Sequence, residues 1–168
     1  MSAGTALVWF RRDLRLSDNP ALRRAVDESE TVVPVFIHDE GEGEWAHGAA
    51  SRWWLHHSLA ALDEALRQKG SRLVIRRGEP LAVLRELADD TGAGAVHWNR
   101  LYDPHLVERD SRVKEGLAES GIRARSEKAA LLLEPWEIAT GSGDPYRVFT
   151  PFWRRAKQDL PPPDAMEA

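Results

Sequence analysis

Three arginines, Arg11, Arg12 and Arg15, follow directly on the short apolar run Ala6 to Phe10. Guanidiniums at the end of a strand would put positive charge near an anionic cofactor tail or a neighbouring domain. The alternative is local pairing of Arg12 with Asp13 or Asp18, an exposed contact that contributes roughly 0 to 1 kcal/mol. A second cluster, Arg154, Arg155 and Lys157, reads as solvated surface. A polar and aromatic group, Trp98-Asn99 followed by Tyr102 and Asp103, follows another apolar run. Asn99 admits two readings side by side, a ligand-facing amide and a turn former or strand-end cap.

Several chemistries lack their residues. The chain has no cysteine, which removes disulfides, thiolate metal sites and cysteine nucleophiles together. Its six histidines include the pair His56-His57, but adjacent helical residues point about 100° apart. No HExxH or comparable metal-ligand spacing is present. Gly92 and Gly94 precede a strand, whereas a dinucleotide fingerprint follows a strand and opens a helix. No GxxxxGK[ST] phosphate loop and no GxSxG nucleophile element occurs, so P-loop hydrolysis and a hydrolytic triad have no support.

The elements that must position these residues alternate. Ala6 to Phe10 reads as a strand, and Asn19-Pro20 as a helix start, because proline suits the first helical turn. Thr31 to Ile37 is a Val-rich strand, and Leu55, Leu59, Leu62 and Leu66 then fall at helical spacing until Gly70. Leu73 to Ile75 gives a third strand; Pro80 opens a helix with Leu81, Leu84, Leu87 and Ala88 inward, closed by Gly92. Ala95 to Trp98 is a fourth strand. A helix from Pro104 to Ser120 presents Leu106, Val113 and Leu117, and a fifth strand lies near Ile122 to Arg125. Leu131 to Ile138 reads as an apolar connecting segment, followed by a short helix over Phe149 to Leu160 and the extended tail Pro161-Pro162-Pro163.

Such alternation predicts an α/β domain with a parallel sheet and helices on both faces, because a crossover helix returns the chain for parallel pairing. Ligands of such sheets bind beyond the carboxyl ends of the strands. The loops at 11–18, 38–50 and 99–105 are therefore where a site is expected.

A length of 168 residues suits one core. The formal net charge of −4 argues against direct gripping of nucleic acid, which usually takes a basic excess. No apolar run approaches the roughly 20 residues of a membrane helix. The opening MSAGTALVWFRRD places its apolar run ahead of its positive charges, the wrong order for a secretory signal, so a cytoplasmic location with no membrane partner is the expectation.

Four segments in order, VWFRRDLRLSDNPAL at 8–22, SRWWLHHSL at 51–59, VHWNRLYDPH with its following ERD at 96–110, and LLLEPWEI to YRVFTPFWRRAK at 131–157, resemble the DNA photolyase and cryptochrome family, its class I-like photolyases in particular. The resemblance covers about nine-tenths of the chain. It implies a Rossmann-like three-layer sandwich with a five-stranded parallel sheet in the order 3-2-1-4-5. Residues 1–130 would form the family's N-terminal α/β domain and 131–160 a connecting segment with a short helix. Residues 161–168 would begin a Pro-rich linker to a FAD-binding domain not contained in this sequence.

In the family, that second domain is the partner that holds FAD and receives damaged DNA, flipping the pyrimidine dimer out of the stack. Reduced flavin excited by light passes an electron to the dimer, which splits and returns it. No residue of this chain is then catalytic, and damaged DNA is met only through the partner domain. The implied task here is to hold an antenna chromophore, a folate, deazaflavin or flavin, at fixed distance and orientation from the FAD. Folate-binding members carry a histidine shortly before the SRWW-like helix, the place of His47, and a WN pair matched by Trp98-Asn99, followed by Tyr102 and Asp103. Where such members have an Asn-Glu pair whose carboxylate meets the pterin, this chain has His105-Leu106, which leaves the chromophore open among the three or the site empty. Arg12 would serve an anionic tail or the interdomain face.

The family's electron-relay tryptophans lie in the FAD domain, so the seven tryptophans here read as core and interface packing. Rival readings are a cryptochrome-type photoreceptor domain, a nucleotide-binding enzyme such as an adenylyl transferase, and a stand-alone interaction module of the same fold. The transferase would need an HxGH-type signature where RRDLR stands.

Overall fold

The computed structural model describes residues 4–39 and 48–160. Its elements are β1 (Thr5–Phe10), α1 (Pro20–Glu28), β2 (Thr31–His38), α2 (Ala49–Gln68), β3 (Val74–Arg77), α3 (Pro80–Thr91), β4 (Ala93–Asn99), α4 (Pro104–Glu119), β5 (Arg123–Glu127) and α5 (Phe149–Asp159). The five strands form one sheet in the order β3-β2-β1-β4-β5. Every neighbouring pair is parallel. The expected fold and strand order are both present.

Alternation of side chains along β1 divides the core. Leu7 and Trp9 pack with Val83, Leu84 and Leu87 of α3 and Val113 and Leu117 of α4. Ala6, Val8 and Phe10 point the other way, onto Ala25 of α1 and Leu62 and Leu66 of α2. Helix starts follow local chemistry: the Asn19 side chain accepts from the Leu22 N–H, and Glu79 accepts from Leu81 and Ala82, each ahead of a proline in the first turn. Gly116 of α4 lies against α3 so closely that a Cβ there would stand 2.4 Å from Leu81 Cδ2.

Three expectations need correction. Only Leu62 and Leu66 of the predicted α2 face are buried, while Leu55 and Leu59 are half-buried. The 20-residue helix runs about 30 Å at 1.5 Å per residue, whereas the four residues of β3 span only about 13 Å. The first half of α2 therefore overhangs the strand tips, and Trp53 and Trp54 on it are 63% and 70% exposed, outside the core half of the core-and-interface packing expected for the tryptophans. The fifth strand begins one residue later than expected. Ile122 is a buried connector, and the polar run Arg123–Glu127 pairs with β4 as an edge strand, where charge is tolerated. Within the apolar stretch after residue 130, Leu132 is 72% exposed, while Glu134 is buried because it meets Arg100.

Candidate functional site

Beyond the carboxyl ends of β1, β2 and β3 lies a crevice of about 370 Å³. Its apolar walls are Trp9, Phe36, Ile37, Leu55, Leu101 and Leu106, and its polar lining is Arg11, Arg12, Arg52, Arg77, Arg109, His38 and Asp39. It sits beside the β1–β4 junction, where strand order reverses, as ligand sites of open parallel sheets do.

The wall formed by β1 and α4 is fastened by buried charge. The Arg11 guanidinium donates to Asp110 Oδ2 at 2.5 Å and to the Asn99 carbonyl. The other oxygen of Asp110 accepts from Arg109 at 3.0 and 3.2 Å, and Arg109 reaches on to Asp39 at 3.4 Å. One carboxylate thus bridges two arginines, both of which lie over the Trp9 ring, with Cζ at 4.6 Å (Arg11) and 5.1 Å (Arg109) from its centroid. Burial pulls the pKa of Arg11 below its ordinary value, and Asp110 opposes that pull. A buried guanidinium left unpaired would be costly, so this network is what allows arginines to line the floor at all.

The residues picked out by sequence divide among three places. Arg12 lines the crevice and pairs with Asp103 at 2.8 Å, with both side chains about half exposed. The local partners considered for Arg12 are engaged elsewhere. Asp13 accepts from the Arg11 N–H and the Asn99 amide, and Asp18 stands 3.8 Å from Arg15. Asn99 is buried with its amide fully engaged: Oδ1 accepts from Ala21 N–H at 3.0 Å, and Nδ2 donates to Asp13 at 2.5 Å and to Asn19 at 2.8 Å. It ties the end of β4 to the start of α1 behind the crevice. Tyr102 turns toward Glu134 and Arg100, and its hydroxyl is pushed up to about 12, first by burial and then by the Glu134 carboxylate. His105 stands half-buried in the first turn of α4, and His105, Tyr102 and Asp103 are all outside the crevice lining. His47 lies outside the described residues.

Sequence reasoning missed Trp9, Arg52, Arg77 and Arg109. The site was sought in the loops after strands one, two and four, and Arg77 ends the third. Leu106 and Arg109 are three apart near the start of α4, a spacing that places both on one face and could have flagged them.

The residues present suit a flat anionic ring system. Apolar walls and a few polar groups are the usual make-up of such pockets. The buried indole N–H of Trp9 has no hydrogen-bond partner among the described residues. Among the described residues, no group of three or more histidine or acidic side chains is placed to hold a metal ion. No described helix is long and apolar enough to cross a membrane.

Comparison with known proteins agrees with this geometry. The DNA photolyase family model matches residues 6–168. The chain is 49% identical to a deoxyribodipyrimidine photo-lyase of Agrobacterium fabrum over 92% of this chain and 32% of that protein. It is 44% identical to cryptochrome-1 of Arabidopsis thaliana over 92% of this chain and 23% of that protein. It therefore spans about a third or less of the length of these relatives. Among solved structures, a class III photolyase from Agrobacterium tumefaciens superposes with a TM-score of 0.90 at 44% identity, covering 99% of this chain and 34% of that one. An archaeal photolyase from Sulfolobus tokodaii, described with two FAD molecules and an implied novel light-harvesting cofactor, gives 0.82 at 30% identity, covering 98% and 37%. These likenesses establish the family and not the class I-like subclass expected above. With its sheet order, its strand-tip crevice and nearly its whole length accounted for, the chain belongs to the DNA photolyase family.

Proposed function

We propose that this chain is the chromophore-holding part of a light-driven DNA repair photolyase. Its crevice takes a flat anionic antenna pigment, which passes excitation to FAD carried by the remaining length that the relatives possess. The observation that carries this reading is the crevice itself, with Trp9 and aliphatic walls below and five arginines around. An antenna needs fixed distance and orientation, because dipole-coupled transfer falls steeply with separation. A floor locked by the Arg11–Asp110–Arg109 bridge supplies that rigidity.

In this reading residues 1–130 form the pigment domain and 131–160 lead toward the partner domain, which alone meets damaged DNA. A net charge of −4 fits that division of labour. Arg12 faces the pigment directly, Asn99 and Asp103 hold the walls from behind, Tyr102 and His105 stand outside the lining toward the partner domain, and His47, outside the described residues, keeps the ligand role that the family resemblance implies. Folate, deazaflavin and flavin all carry the flat ring and anionic or polar tail the crevice suits. The archaeal relative, described with two FAD molecules, supports a flavin among them. Equilibrium dialysis of the folded chain against each of the three, read by visible absorption, tests the reading. Saturable uptake of one is expected, and uptake of none would overturn it.

A further inference from the structure

The arginines around the crevice are not equivalent. Arg11, Arg109 and Arg12 are matched by three carboxylates, Asp110, Asp39 and Asp103. Arg52, in the first turns of α2, lines the same crevice and makes no ion pair among the described residues. It projects from the overhanging half of α2, next to Leu55 on the same face and across from His38 at the end of β2. The helix it belongs to starts behind Gly48, which offers no side-chain cap, so its first N–H groups and its positive dipole end lie at this rim. A cation with no carboxylate partner among the described residues, beside the start of α2 and facing a wall whose guanidiniums are already paired, makes the crevice electrically asymmetric.

Resting on the reading of the crevice as a pigment site, we infer that Arg52 is its specificity-determining residue, taking the terminal phosphate or carboxylate of the pigment's tail. The paired wall contributes shape and rigidity and does not distinguish charged from uncharged tails. A guanidinium suits either anion because its planar fork offers two parallel donors.

The test uses the whole chain and two ligand pairs, each with a common ring: riboflavin against FMN, and folic acid against its triglutamate. The pairs separate a phosphate from a polycarboxylate source of the charge. In the ring series that binds, the more highly charged member should bind about tenfold more tightly, as a charge-assisted contact implies. Arg52→Ala should bring the two members of that pair to near equality, and Arg52→Lys should restore most of the preference. Far-UV circular dichroism checks that the variants fold. Equal binding of both members by the wild-type chain, or an equal loss of both in Arg52→Ala, would overturn the assignment while leaving the crevice a pigment site. Binding of neither series by the wild-type chain would overturn the reading of the crevice itself, and the assignment with it.

Discussion

The two sides of the crevice are built on opposite principles. On the β1 and α4 side, Arg11 and Asp110 have side chains only 7% and 13% exposed, and the guanidinium hydrogen bonds of Arg11 and Arg109 end on carboxylates or a carbonyl of the protein. On the α2 side, the helix overhangs the sheet, its tryptophans face outward, and Arg52 has no internal carboxylate among the described residues. Buried charge must be paired, and pairing consumes it, so the deeper side is rigid and electrically closed. Exposed charge is screened but available, so the shallower side is where a ligand's charge can be read.

That contrast can be broken most forcefully at Asp110. Asp110→Ala leaves two guanidiniums without their shared carboxylate and should cost about 3–5 kcal/mol in chemical denaturation, the usual penalty for breaking a buried pair. Arg52→Ala should cost almost nothing in the same measurement, since exposed surface substitutions usually fall within about 0.5 kcal/mol. Equal losses at the two positions would erase the distinction. Asn99→Ala removes an amide that serves α1 and the loop after β1, and it should cost about 1–3 kcal/mol through the donors and acceptors left unmatched.

A pH titration sharpens the picture of the interior. His97, fully buried in β4 on the α1 face, has both ring nitrogens without a hydrogen-bond partner among the described residues. Burial, chiefly, holds its pKa below the ordinary 6.5, with Arg24, Arg123 and Arg125 adding to the effect and Glu28 opposing it. The unfolded chain therefore binds a proton that the folded chain refuses. This contribution to stability is complete above pH about 6.5 and is lost as the pH falls through and below that value. His97→Leu should flatten the acid limb of the stability profile between about pH 6.5 and 5, whereas an unchanged slope would assign that limb to other groups. The exposed pair Arg12–Asp103 should also give a small effect, no more than about 1 kcal/mol in a double-mutant cycle.

The sheet was legible because its determinants are local. Strand runs, Pro20, Pro80 and Pro104 at helix starts, and Gly92 at a helix end all act within a turn or two of themselves. The charge pattern of the crevice was not legible, because its partners are set by tertiary register. Arg11 finds Asp110 across 99 residues and Arg12 finds Asp103 across 91, and neither separation has a sequence signature. Asn99 shows the same limit: both of its readings began from its place at the end of a strand, and only the positions of Asp13, Asn19 and Ala21 reveal what its amide meets. Glu134 reads as the polar exception in an apolar run, and only Arg100, at the far end of β4, explains its burial.

The central claim, that a pigment binds in this crevice, is tested most directly by the induced circular dichroism of the pigment's visible band. The band should appear and saturate on titration of the wild-type chain. It should vanish in Leu55→Trp, which fills the space between α2 and the strand tips while keeping a helical far-UV spectrum. A band of equal size in both proteins would place the pigment elsewhere and contradict the account.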